Sequence, residues 1–229
     1  MKYKNIFFDL DDTLWAFSDN ARDTFEEMYH QHHFEQYFDS FNQFYTLYQQ
    51  RNTELWVLYG KGEITKVELN KQRFLYPLQA VGVDNPELAQ RYSDNFFSVV
   101  PTKKKLMPYA KEILEYLSPT YNLYILSNGF RELQAKKMAA SGINHYFKKI
   151  ILSEDLGVMK PYPEIFHFAL SATQSELKES IMIGDSWEAD IVGAKGVGMK
   201  HIYYNYAKRK DKFNSDYVVE ELIEIKDYL

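Results

Sequence analysis

Ile6-Phe7-Phe8-Asp9-Leu10-Asp11-Asp12-Thr13-Leu14 is an apolar run that breaks abruptly into three carboxylates. Ile, Phe and Phe without an intervening charge predict a buried strand, and on an extended segment side chains two apart point the same way. Asp9 and Asp11 are therefore expected on one face. Two carboxylates side by side at the end of a buried strand repel each other, unless a cation lies between them or one carboxyl keeps its proton. That cost marks a candidate working site. The blander reading, in which Asp merely solvates a turn, is kept for Asp12, which should face away from the pair.

Three further strand-like runs end in chemistry. Tyr121-Asn122-Leu123-Tyr124-Ile125-Leu126 leads into Ser127-Asn128-Gly129, ahead of a helical pattern from Arg131 to Ser141. A hydroxyl between a strand end and a helix start offers phosphate an O–H beside free backbone N–H groups. Ile150-Ile151-Leu152 and the turn around Gly157 precede Lys160-Pro161; Pro161 suits a helix start, which places the Lys160 charge just before it. Ile181-Met182-Ile183 leads to Gly184-Asp185-Ser186 and then Asp190. Gly184 lets the backbone turn sharply, Asp185 projects toward the first acids, and Ser186 is read as an N-cap.

From about Leu106 onward, apolar runs (123–126, 150–152, 181–183, 201–204) alternate with helical patterns, the signature of a parallel α/β sheet. Ligands of such sheets bind at the carboxyl ends of the strands, where each of these motifs falls. Residues 17–101 differ: they are polar-aromatic and helical in period, with helices expected over 20–31, 41–58, 66–80 and 86–99. Their rich aromatic content reads as bundle packing.

The 229 residues suffice for a real core, with a net charge of −5 and no cysteine. That balance gives no footprint for a nucleic-acid polymer, and a cytoplasmic location is expected. Asp9 interrupts the N-terminal apolar run short of a signal sequence, and no stretch is long enough to span a membrane. The tract His30, His32, His33 lacks partners at metal-ligand spacing. Gly193, Gly196 and Gly198 do not form a dinucleotide-binding pattern.

The four segments, Asp9-x-Asp11-x-Thr13-Leu14, Ser127-Asn128-Gly129, Lys160-Pro161 and Gly184-Asp185 with Asp190, resemble in order the four motifs of the haloacid dehalogenase (HAD) superfamily. Its members are mostly phosphatases that work through an aspartyl-phosphate. The helical block resembles the cap inserted between the first two motifs. The resemblance implies a Rossmann-like parallel-sheet core over 1–16 and 102–229, with an α-helical cap over 17–101. It further implies Mg²⁺-dependent phosphomonoester hydrolysis. Asp9 would be the nucleophile and Asp11 the acid/base. Asp9, Asp185 and the Asp11 backbone carbonyl would hold Mg²⁺, with Thr13 and Asp190 supporting them. Ser127, Asn128 and Lys160 would cradle the phosphoryl group.

A dehalogenase of the same superfamily needs neither a metal nor Asp11. A phosphomutase or sugar-phosphate phosphatase shares the core chemistry. From a different class, a receiver-like phospho-acceptor or a binding protein combines similar residues, but a receiver's accepting Asp ends a later strand of a much shorter chain. Leu55-Trp56 through Gly60-x-Gly62-Glu63-Ile64 to Arg73-Phe74 is similar to the bacterial HAD nucleotidases that act on pyrimidine nucleoside monophosphates. The implied partner is a small phosphorylated metabolite, a nucleotide. Trp15, Phe17 and Lys61 are then expected to contact its leaving group.

Overall fold

The computed structural model describes residues 3–211 and 213–229. Residues up to Ser18 and from Lys103 onward form one compact unit, and Asp19–Thr102 form a second. The first is built on a six-stranded sheet in the order β3-β2-β1-β4-β5-β6, with every pairing parallel. Its strands are β1 (Asn5–Phe8), β2 (Asn122–Ser127), β3 (Phe147–Leu152), β4 (Ser180–Gly184), β5 (Lys200–Tyr204) and β6 (Tyr217–Val219). β1 lies in the middle, with Asn5 opposite Asn122 on one side and Ser180 on the other. All four of its residues are buried, which is why its side chains need no polar alternation.

Helices α5 (Ala110–Leu117), α6 (Arg131–Ala140), α7 (Ser153–Leu156), α8 (Pro163–Thr173) and α9 (Gly193–Gly196) connect the strands. Phe7, Leu126, Ile151 and Met182 from the sheet pack with Ile165, Phe166 and Ala169 of α8 in one apolar cluster. Gly193 is required there, because a Cβ on it would meet the Phe166 ring at 2.6 Å. The helix expected to begin at Pro161 instead begins at Pro163, and Pro161 belongs to the turn before it. Proline suits the first helical turn, and here the second of two closely spaced prolines takes that place.

The second unit carries α2 (Phe41–Gly60), α3 (Lys66–Ala80) and α4 (Pro86–Val99), together with most of α1 (Phe17–Gln31). Its boundaries follow local chemistry. Thr65 and Glu68 form a capping box at α3, and the Asn85 side chain accepts from Leu88 N ahead of Pro86. Phe25 is its hub, with ring centroids 4.2 Å from both Tyr48 and Phe96. The aromatic stripe is therefore core. His32 pairs with Asn95 at 3.0 Å, and burial lowers its pKa. Among the described residues no helix is long and apolar enough to cross a membrane.

Candidate active site

β1, β2 and β4 end side by side, and their carboxyl ends deliver Asp9, Ser127 and Asp185 to one place, where Lys160 joins them from the turn before α8. Lys160 is the electrostatic centre. Its ammonium donates to Asp9 Oδ1 at 2.7 Å, Asp190 Oδ1 at 2.6 Å and the Leu126 carbonyl at 2.6 Å. Asn128 secures the backbone beneath it, accepting from Lys160 N at 2.9 Å and donating to Lys160 O at 3.0 Å. All three ammonium protons are thus committed within the protein. Lys160 was expected to grip phosphoryl oxygens directly; in this geometry it offers them charge and has no N–H to spare.

The second acid comes from an unusual turn. Residues Trp187–Val192 form a π-helical turn, capped by Ser186, whose side chain accepts from Ala189 N at 3.2 Å. Asp190 accepts from Ser186 N at 3.0 Å and lies over the Gly184 backbone, where a Cβ would fall 2.1 Å from its Oδ2. Only glycine admits that approach. Thr13 donates to Asp185 Oδ1 at 2.7 Å and accepts from Asp185 N at 3.0 Å, fixing that carboxylate from the first motif.

Asp9, Asp185 and Asp190 present carboxylate oxygens within 4.8 Å of one another. Burial, then the nearby Asp190 and Asp11 charges, raises Asp9 to about 7 even though Lys160 pulls the other way. Asp185 is also pushed well up, by burial first and then by Asp9 and Asp190. Burial disfavours the Lys160 charge, but Asp190 and Asp9 outweigh it and drive its pKa up. Three carboxylates facing one ammonium leave two formal negative charges. Hard oxygen donors with that surplus fit a divalent cation such as Mg²⁺; Asp9 and Asp185 could hold it, since both Asp190 oxygens already accept hydrogen bonds, from Lys160 and from Ser186 N, whereas Lys160 takes only Oδ1 of Asp9.

β1 ends at Phe8 and the backbone is left-handed at Asp12, with φ 58°; between them Asp11 forms an isolated bridge with Trp15. Its carboxylate lies outside the three-acid cluster. Oδ1 accepts from Lys137 Nζ at 2.7 Å and Oδ2 from Gln134 Nε2 at 2.9 Å. Asp12 turns away as read, accepting from Ser18 N at 2.8 Å and Ser18 Oγ at 2.6 Å.

Gln134 also donates to Ser127 Oγ at 2.8 Å, and Gly129 N donates to the same oxygen at 3.1 Å. With both lone pairs accepting, the Ser127 hydroxyl proton is the part left to give. Gly129 is what lets Gln134 reach this far, because a Cβ there would lie 2.1 Å from Nε2. Gln134 and Lys137 were not anticipated. The available signal was two polar residues at i, i+3 on the helix following the Ser-Asn-Gly motif.

Trp15, expected to touch a leaving group, is fully buried, and its indole N–H donates to Lys103 O at 3.2 Å. It is part of the interior, as a ring of that size beside an apolar strand end tends to be. Phe17 is 36% exposed. Lys61 is exposed at the C-terminal end of α2, in the helical unit. Tyr206, past the end of β5, was not foreseen. It is 37% exposed, shares a hydrogen bond with Ser18, and is pushed up to about 12 by burial together with Asp12 and Asp185.

Comparison with known proteins agrees with this geometry. A family model described as haloacid dehalogenase-like hydrolase matches residues 3–198. Pyrimidine 5'-nucleotidase YjjG of Escherichia coli (strain K12) is 30% identical over 212 residues, 92% of this chain and 89% of that protein. Pyrimidine 5'-nucleotidase PynA of Streptococcus pneumoniae (strain ATCC BAA-255 / R6) is 32% identical over 209 residues, 90% of this chain and 85% of its own. Among solved structures, the magnesium-bound HAD-hydrolase YfnB of Bacillus subtilis superposes with a TM-score of 0.89 at 25% identity, covering 100% of this chain and 99% of the other.

Proposed function

The chain belongs to the haloacid dehalogenase-like hydrolase family, and from that premise we propose that it is a Mg²⁺-dependent nucleoside 5'-monophosphate phosphatase working through an aspartyl-phosphate at Asp9. The observation that carries the phosphatase reading is the Lys160 ammonium bridging Asp9 and Asp190 beside Asp185. A carboxylate nucleophile must share that pocket with an anionic phosphoryl group; Lys160 offsets part of the negative charge gathered there, and the surplus calls for a divalent cation before the substrate can enter. The absence of cysteine accords with a cytoplasmic location.

An Asp9 oxygen attacks phosphorus, the P–O ester bond breaks, and its electron pair leaves with the ester oxygen, which takes the proton of the Asp11 carboxyl. Water then attacks phosphorus and gives a proton to Asp11 as the P–O bond to Asp9 breaks, releasing inorganic phosphate. The Ser127 hydroxyl and the Asn128 N–H hold the phosphoryl oxygens, and Lys160 supplies charge behind them. Asp9, Asp185 and the Asp11 backbone carbonyl would hold Mg²⁺, which would supply charge neutralisation for the phosphoryl transfer.

Metal binding has a readout that does not depend on turnover. Asp9 keeps its proton up to about 7 in the folded protein, against 3.8 for an ordinary carboxylate. A raised carboxyl pKa means that the metal-free fold loses stability as pH climbs from about 4 to 7, and is level above that. A bound cation holds the acids ionised and removes the loss. Saturating Mg²⁺ should therefore raise Tm by about 5–10 °C at pH 8, the effect of about 2.7 kcal/mol at one hundred times Kd, and by clearly less at pH 5. An equal gain at both values in thermal melts against EDTA would exclude this cation site.

The nucleotide assignment rests on the two relatives whose names carry that activity and on two partly exposed rings, Phe17 and Tyr206, the first adjacent in the chain to Ser18 and the second hydrogen-bonded to it. Stacking of a base on an aromatic ring is worth roughly 1–3 kcal/mol, enough to prefer a nucleotide over a bare sugar phosphate by about tenfold. UMP, dUMP and TMP are expected to exceed AMP and the hexose phosphates in kcat/KM, measured side by side. A hexose phosphate that beats every nucleotide tenfold would remove the nucleotidase assignment and leave the phosphatase chemistry standing.

A further inference from the structure

The Asp11 carboxylate is held by both its oxygens from one face of α6, Oδ1 by Lys137 and Oδ2 by Gln134. Resting on the phosphatase reading above, we propose that Lys137 is a positioning residue for the acid/base carboxylate of Asp11. The Lys137 side chain is only 3% exposed, so it does not serve as a surface charge. Its ammonium sits 4.7 Å from the Trp15 ring centroid and 5.0 Å from that of Phe17. Both rings lie within cation–π reach, and that attraction helps hold the charge in place. This gives buried Trp15 a purpose.

The two anchors are not equivalent. Gln134 Nε2 donates both to Asp11 Oδ2 and to Ser127 Oγ, at 2.9 and 2.8 Å. When Oδ2 turns to the leaving oxygen, Gln134 keeps its place on Ser127 while Lys137 keeps Oδ1. The carboxylate then pivots about a fixed oxygen, and the same Oδ2 delivers the proton in the first step and receives one from water in the second. Proton transfer demands hydrogen-bond reach at both moments, and small misplacements are costly. A buried ion pair is by itself weak evidence of stabilisation, so its role is better sought in what it orients.

The test exploits leaving-group basicity. Alkyl phosphates such as UMP need a proton on the departing oxygen, whereas p-nitrophenyl phosphate leaves as a stable phenolate and needs little help. In single-turnover release of the leaving group, which reads the first step alone, Asp11→Asn should slow UMP by about 10²–10³-fold and p-nitrophenyl phosphate far less, while breakdown of the shared aspartyl-phosphate slows for both. Lys137→Met should follow the same pattern more mildly, about 30-fold against less than about threefold, with KM nearly unchanged. Lys137→Arg should recover part of the UMP rate. Lys137→Gln, which keeps a donor but loses reach, replaces the methionine variant if that does not fold. An equal first-step loss on both substrates, or no loss on UMP, overturns the positioning role while a leaving-group-selective Asp11→Asn leaves the phosphatase reading intact. If Asp11→Asn itself slows the first step of both equally, the acid role falls and the Lys137 role with it.

Discussion

Asp9→Asn should lose turnover by on the order of 10⁴-fold or more while melting at the same temperature as the parent protein or higher. The amide cannot supply the attacking carboxylate, which accounts for the first half. The second half comes from the electrostatics of the pocket. Burial and neighbouring acids already push Asp9 up to about 7, so a neutral amide at pH 8 relieves repulsion, and Lys160 keeps Asp190 at 2.6 Å as its partner. Rates are to be compared with the same substrate and Mg²⁺ concentration, and melting curves taken in EDTA. Turnover within tenfold of the parent would end the aspartyl-phosphate mechanism.

Lys160→Met should damage both the fold and the reaction. Methionine matches the lysine stem in length but leaves Asp9 and Asp190 facing each other without a counter-charge, and the Leu126 carbonyl without its donor. Removing one member of a buried ion pair costs about 3–5 kcal/mol, or about 6–20 °C in Tm for a chain of this size. The uncovered carboxylates take up protons more readily in the folded state than in the unfolded one, so the deficit should shrink from pH 8 to pH 5. Loss of the charge behind the phosphoryl group should lower kcat/KM by about 10³-fold. A melting point within 2 °C of the parent's, with kcat/KM within about tenfold, would show that Lys160 carries neither burden.

How far the sequence reveals this protein depends on whether a residue's neighbours are local. Apolar runs such as Ile181–Ile183 mark strands because burial on both faces removes polar residues, and the structure extends that run by one residue at each end. Helix boundaries at Lys66 and Pro86 are legible because their caps, Thr65 and Asn85, are adjacent in the chain. The fate of Asp11 is not local: its partners lie 123 and 126 residues away. Arg131-Glu132-Leu133-Gln134-Ala135-Lys136-Lys137 reads as a solvated helix, and nothing within it shows that two of its polar side chains point inward. Trp15 misleads for the converse reason, since a ring beside a catalytic loop looks available until Lys103 and Lys137 close around it. β6 has only three residues, too few for periodicity to register.

The central position of β1 also sets when this protein can come into being. Asn5 waits for Asn122 and then for Ser180 before it has a neighbour on both sides, and contacts of such long sequence separation form slowly. During synthesis from the N-terminus, Ile6, Phe7 and Phe8 must stay unpaired while more than half of the chain emerges, an interval in which an apolar strand is exposed to aggregation. Residues 19–102 emerge in that interval and close on themselves through neighbouring helices. The acids at the end of β1 meet Lys160 and Asp190 only when the last third of the chain has arrived, so the nascent protein carries its nucleophile from the start and becomes competent among its final acts.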